Sequence, residues 1–143
     1  MAEYVYNPTQ EVEIGQNVLL QDSIPCNRGY VIHRNGSGIL TLRGIVNNHC
    51  ARFARYRVAF NGNIAVPTDG TAGEISLAIA IDGEPIQTSR ARVTPTVVDA
   101  YFNVTSVANI TVPAGCCLTI AIENTSGVPI NVQNANLTID RTA

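Results

Sequence analysis

The chain has 143 residues, 45% hydrophobic and 14% charged, with a net charge of −2 and nine basic residues that are all Arg. This length supports one core without disulfides or a metal, and the composition excludes a disordered chain. It also argues against a nucleic-acid-binding protein, which is usually more basic overall, although six Arg, two His and no carboxylate lie between Asp22 and Asp69.

The N-terminal residues 1–8 contain Tyr4 and Tyr6, with Val5 between them. They form either an arm that pairs with a neighbouring subunit or the first strand of the single domain expected in residues 9–143. The start has no basic segment followed by an apolar one, which predicts no signal peptide. No apolar run is long enough to span a membrane, so we expect synthesis in a cytoplasm.

Short apolar runs with a period of two, rich in Val, Ile, Thr and Tyr, recur along the chain, whereas helical periodicity is never sustained over three turns. The predicted strands are residues 12–14, 17–21, 30–34, 39–43, 50–60, 74–81, 84–92, 97–104, 107–112, 117–123 and 128–139, the last with a break near residue 133 or 134. About ten strands and no substantial helix predict an all-β fold, a two-sheet antiparallel jelly-roll sandwich. An immunoglobulin-type sandwich is disfavoured because it has fewer strands and often a central Trp, which this chain lacks.

Several dipeptides in the sequence are typical of tight turns, because they tolerate a positive φ. These dipeptides are Asn35-Gly36, Asn61-Gly62, Asp69-Gly70 and Asp82-Gly83. Asp82-Gly83 predicts the clearest hairpin, since it joins an apolar arm to a polar one, and the polar arm is expected at a sheet edge.

The segment 50–60 alternates, with Tyr56, Val58 and Phe60 on one predicted face and Arg55 and Arg57 on the other. The Arg side chains either solvate an outer sheet face or meet carboxylates of a partner. The candidate partner-binding residues of the chain are Tyr4, Tyr6, Arg52, Arg55 and Arg57.

The cysteines show no metal-binding pattern. Cys26, Cys50, Cys116 and Cys117 lack Cys-x-x-Cys spacing, and neighbours on a strand point to opposite faces, so all four are predicted to be small buried residues. His33 and His49 would join Cys50 in a zinc site only by a coincidence of the fold.

Catalytic motifs are also missing from the sequence. We therefore predict no enzyme, no cofactor and no metal. A calcium site built from Asp69, Asp82 or Asp99 with backbone carbonyls stays open beside the simpler interpretation that these are solvated turn carboxylates.

The second half carries a family resemblance in residues 56–64, 102–104, 107–115, 118–127 and 134–139. These segments include Pro-Ala-Gly before one alternating strand and Asn-Thr-Ser-Gly before another. They resemble the closing strands of the trimeric jelly rolls of the tumour necrosis factor and complement globular-head superfamily and its phage relatives. The resemblance implies a homotrimer, and a head without a collagen-like stalk looks like a phage structural protein.

The function that this resemblance implies is structural. Relatives of this kind decorate a phage head, sitting as trimers on three-fold positions and binding the major capsid protein, which would place the chain in the virion. The alternative function is a carbohydrate- or receptor-binding tip of a fibre or surface protein, although the absence of Trp weakens an aromatic binding platform.

Overall fold

The structure is a computed structural model that describes residues 2–24, 30–44, 53–114 and 117–142. Its strands are β1 Ala2–Tyr6, β2 Gln10–Val12, β3 Gln21–Ile24, β4 Val31–His33, β5 Leu40–Leu42, β6 Phe53–Ala65, β7 Ile75–Ile81, β8 Glu84–Pro85, β9 Ala91–Val93, β10 Phe102–Pro113, β11 Leu118–Asn124 and β12 Ile130–Arg141. The helical element of the described chain is a single 3₁₀ turn, Gln87–Ser89. The predicted all-β class is confirmed.

The strands form two antiparallel sheets that pack face to face. Sheet A has the order β10-β6-β12-β1-β3, with β2 also paired to β12. Sheet B has the order β4-β5-β11-β7-β8, with β9 also paired to β7. The apolar inner faces of both sheets meet in one core, as the predicted two-sheet sandwich requires.

Strand β6 alternates as predicted. Tyr56, Val58 and Phe60 are buried in the core, whereas Arg55 and Arg57 are exposed on the outer face. The expected turn at Asn61-Gly62 is wrong, because β6 runs through it to Ala65. A Cβ at Gly62 would lie 3.0 Å from Cζ of Phe60, so the glycine makes room for this ring within the strand.

The hairpin at Asp82-Gly83 is confirmed, with φ of 49° and 87° at the two residues. Its polar arm is not the continuous strand predicted for 84–92, because β8, the 3₁₀ turn and β9 divide it. The Ser89 hydroxyl donates to the Ile86 carbonyl at 2.7 Å and accepts from the Ile79 amide at 3.0 Å. A side chain thus replaces the ladder hydrogen bond at this point.

Two predicted strands, 97–104 and 107–112, prove to be a single strand, β10, that begins at Phe102. Ser106 does not interrupt it, because its hydroxyl donates to the Ser89 carbonyl and the residue is buried. The expected strand 17–21 is also wrong: β3 begins at Gln21, and Asn17 makes only an isolated bridge. The break predicted in the last strand is confirmed by a register shift and a φ of 55° at Asn134.

The N-terminal residues belong to sheet A. Strand β1 lies between β12 and β3, which matches the second of the two alternatives, a first strand. Tyr4 is 2% exposed and packs in the core, and Tyr6 is half-buried against it.

Candidate functional site

The outer face of sheet A presents a regular surface that is nearly free of charge at its centre. Alternate residues of β1, β6, β10 and β12 point outward, as their burial patterns show. We call this surface the amide face; it consists of Val5, Ala59, Asn61, Asn63, Asn103, Thr105, Val107, Asn109, Thr111, Gln133, Asn136 and Thr138. The lack of charged side chains at its centre matches the core of a contact surface, which is depleted in charged residues.

The strand registers arrange the amide face in rows across the sheet. Val107 pairs with Ala59, and Ala59 pairs with Thr138, so the middle row is small and apolar. Val107 is 40% exposed, which is high for a Val in the centre of a strand. This row has no charged side chain until Glu3 on β1.

One edge of the amide face carries a hydrogen-bonded row of amides. Asn103 donates to Asn63 at 3.1 Å, and Asn63 donates to Asn134 at 3.3 Å. Asn134 in turn donates to Asn7. The row joins β10, β6, β12 and the segment after β1, so it fixes these side chains against the sheet before any partner arrives.

The sequence-predicted partner residues are dispersed by the fold. Arg55 and Arg57 lie at one end of the amide face, where they pair in register with Thr111 and Asn109. Arg52 lies outside the described residues. Tyr4 is buried in the core, where no partner can reach it, so we leave it out of the proposed contact surface.

Sequence reasoning missed the amide face itself. Its signal is an alternation of Asn or Thr with apolar residues in β6, β10 and β12. That alternation predicts that each strand has one buried face and one uncharged face, but it does not predict which strands are neighbours in the sheet.

A groove lies on the outer side of sheet B, opposite the amide face. It has a volume of about 390 Å³ and is lined by Gly15, Asn17, Ile39, Asp82, Gly83, Thr119, Ile120, Ala121 and Glu123. The turn between β7 and β8 forms one wall, and the segment before β3 forms another. The isolated bridge between Asn17 and Glu123 sets these two side chains next to each other.

The carboxylates of the groove differ in their environment. Oδ1 of Asp82 accepts from the Thr119 amide at 2.9 Å and from its hydroxyl at 2.7 Å, and these bonds lower the pKa of Asp82. Burial raises the pKa of Glu123, and the negative charge of Glu84 adds to that effect. Within the described chain, the Glu123 carboxylate accepts no hydrogen bond.

The other described residues that could bind a metal or transfer a proton either stabilise the fold or do not form a cluster. Nδ1 of His33 contacts Oδ1 of Asp22 at 2.6 Å, and its Nε2 contacts the Ser37 carbonyl at 2.8 Å, so both ring nitrogens are engaged. The described residues contain no group of three metal-ligating side chains, and the candidate calcium ligands are not gathered. Asp99, for example, accepts from Thr68 at 2.6 Å.

Cys117 is exposed, so its predicted burial is wrong; Cys26, Cys50 and Cys116 lie outside the described residues, as does His49. Cys117 directly precedes β11. In the part of the chain that the structure describes, no helix has the length and apolarity needed to cross a membrane.

The chain is similar in structure to the globular domain of the zebrafish complement 1qA protein, with a TM-score of 0.58, 14% identity and coverage of 96% of this chain and 94% of that one. It is also similar to murine APRIL, with a TM-score of 0.56, 12% identity and coverage of 92% and 96%. No protein-family model and no curated protein matches the sequence. The fold is therefore a jelly roll of the tumour necrosis factor and complement globular-head type, which confirms the fold implied by the resemblance.

Proposed function

We propose that this chain is a non-enzymatic structural protein that assembles as a homotrimer through the amide face. The observation that carries the proposal is the middle row of that face, where Val107, Ala59 and Thr138 stand side by side with no charge. An uncharged, partly apolar row of this kind is suited to burial in a contact, and a closed symmetric oligomer would cover it.

The number three comes from the resemblance to the superfamily, whose domains are trimeric. A ring of three requires a head-to-tail contact, in which the amide face of one subunit packs on a different surface of the next; the proposal places that second surface away from the outer side of sheet B. The row from Asn103 to Asn7 supports this contact, because its amides are already held in place and lose little conformational entropy on binding.

More specifically, we propose that the trimer decorates a phage head and holds neighbouring major capsid proteins together. The Arg side chains at the end of the amide face support a protein partner, since guanidinium groups suit bidentate contacts with carboxylates. Arg55 and Arg57 are exposed there, on alternate positions of β6. Co-sedimentation of the chain with empty heads of the phage that encodes it tests this form, and heads that sediment alone contradict it.

Light scattering after size exclusion tests the assembly. We expect a mass three times 15.3 kDa for the unaltered chain. In Val107→Glu, each interface would bury a carboxylate without a partner, so we expect a monomer that keeps its fold. Ile32→Glu is the matched control, because Ile32 is 53% exposed on sheet B; it should keep the trimeric mass.

Two results would contradict the assembly proposal. One is an unaltered chain with the mass of one subunit at every concentration tested. The other is a Val107→Glu chain that stays trimeric with an unchanged circular dichroism spectrum, which would place the contact on another surface.

The alternative function, a carbohydrate- or receptor-binding tip, is supported by a different observation, the groove on sheet B. Its lining combines a carboxylate, a carboxamide and an apolar side chain in Glu123, Asn17 and Ile39. This function is compatible with assembly, because the groove and the amide face lie on opposite sheets.

A further inference from the structure

We infer that the groove on sheet B binds a neutral pyranose through Glu123 and Asn17. The inference goes beyond assembly and gives the alternative function a defined site. It rests on three properties of the groove: polar groups without partners, an apolar wall and the sign of its charge.

The first property is unused hydrogen-bonding capacity at a half-buried position. Among the described residues, the side chains of Glu123 and Asn17 form no hydrogen bond, although both are half-buried and adjacent across the bridge. A carboxylate offers acceptors, and a carboxamide offers both donors and an acceptor. Two neighbouring hydroxyls of a pyranose match this pair, because each hydroxyl both donates and accepts.

The second property is an apolar surface beside the polar pair. Ile39 is 51% exposed at the groove and provides most of this surface; Ala121, which is 8% exposed, adds a small part beside Glu123 on the outward side of β11. These side chains suit the C–H face of a sugar ring, in the way that ligand sites combine apolar lining with a few polar groups. At about 390 Å³, the groove lies at the lower end of ligand-site volumes, which fits one or two rings.

The third property is charge. The lining contains Asp82 and Glu123 and no basic residue, and Glu84 is close enough to act on Glu123, so anionic ligands are repelled. Oδ1 of Asp82 is already occupied by Thr119, and no three metal-ligating residues of the described chain come together. A neutral polyol satisfies the free groups without requiring a charge partner.

The affinity should be weak, since no aromatic ring stacks on the sugar. We expect a Kd of about 1–10 mM for a single ring. Titration of the ¹⁵N-labelled full chain with the methyl pyranosides of glucose, galactose and mannose measures this directly. Saturable shifts should centre on the amides of Gly83, Thr119 and Ala121.

The substitution Glu123→Gln tests the role of Glu123 in binding, because glutamine keeps the shape of the side chain but lacks one acceptor oxygen and the negative charge. We expect at least a tenfold loss of affinity. Glu74→Gln is the matched control, since Glu74 has a half-exposed side chain that lies outside the groove lining; it should bind as the unaltered chain does. Light scattering on both variants measures assembly separately. A variant that loses binding but keeps the trimeric mass shows that the substitution damages the groove and not the subunit contact.

Three outcomes would overturn the inference. No saturable shift with any pyranoside up to about 50 mM would exclude a site of the expected strength. Unchanged binding by Glu123→Gln would show that Glu123 does not contribute to sugar binding. Shifts at these amides with calcium chloride and with none of the sugars would identify a cation site instead.

Discussion

Replacing Asn124 by Ala should cost the fold about 3 kcal/mol, because this buried amide ties three segments together. Asn124 is 1% exposed, and its Nδ2 donates to the carbonyls of Val12 and Val128, both at 3.0 Å, and to Glu13 at 3.3 Å. Its Oδ1 accepts from the Ser126 amide at 2.9 Å. Each buried group left without a partner costs about 1–3 kcal/mol, and water can reach some of the carbonyls, so we expect one full penalty or two to three small ones, about 3 kcal/mol in total.

Urea unfolding followed by fluorescence at one fixed protein concentration measures this loss, since assembly adds to the apparent stability. For a domain of this size, about 3 kcal/mol corresponds to a melting temperature lower by roughly 10 °C. Gln16→Ala is the control: this exposed amide is a neighbour whose side chain donates no hydrogen bond among the described residues. A loss below about 1 kcal/mol for Asn124→Ala would refute the reasoning.

Replacing Asn124 by Asp sharpens the same test. The substitution keeps the acceptor for Ser126 and replaces the donor with an oxygen that faces the carbonyls of Val12 and Val128. We expect a loss at neutral pH at least as large as for Ala, and a partial recovery at low pH, where the protonated carboxyl can donate. A pH-independent loss would contradict the geometry.

Two further predictions concern single side chains. Tyr56→Phe should lower the free energy of unfolding by about 1–2 kcal/mol, because the buried hydroxyl donates to the Arg43 carbonyl at 2.5 Å; an unchanged urea midpoint would contradict this. Glu123→Gln should raise the melting temperature at pH 7, since burial raises the pKa of Glu123 and thereby disfavours its ionised form in the fold. Stability from the neutral form is present below the unfolded pKa of about 4.3 and is lost as pH rises through the folded pKa, so a difference that persists at pH 3 would contradict the assignment.

The sequence predicted the fold class and most strand positions, because both depend on local alternation. Tyr56, Val58 and Phe60 show this alternation clearly, and the buried face of β6 followed from it. The errors arise where a long-range contact outweighs a local signal. Asn61-Gly62 has the chemistry of a turn, but the ring of Phe60 occupies the space beside Gly62 and the strand continues.

The candidate site was less predictable for a similar reason. The Arg residues at 55 and 57 were placed correctly on an outer face, but the small residue Ala59, which lies between Arg57 and Asn61 on that face, gave no signal of its own. The groove was harder still. Asn17 and Glu123 are more than a hundred positions apart in the sequence, and only the bridge between their segments brings them together.

The opposite placement of the two surfaces lets one arrangement serve both proposed activities. A trimer that buries the amide face against a surface away from sheet B, as proposed, leaves the groove of each subunit exposed. A single site of millimolar strength would hold a ligand too briefly to be useful, but three sites on one rigid body engage a repetitive glycan surface together, and avidity can then exceed the single-site affinity by about 10²–10⁴. Val107→Glu should therefore abolish binding to a glycan-coated surface while leaving the shifts with a free pyranoside unchanged, and this pattern would link assembly to recognition.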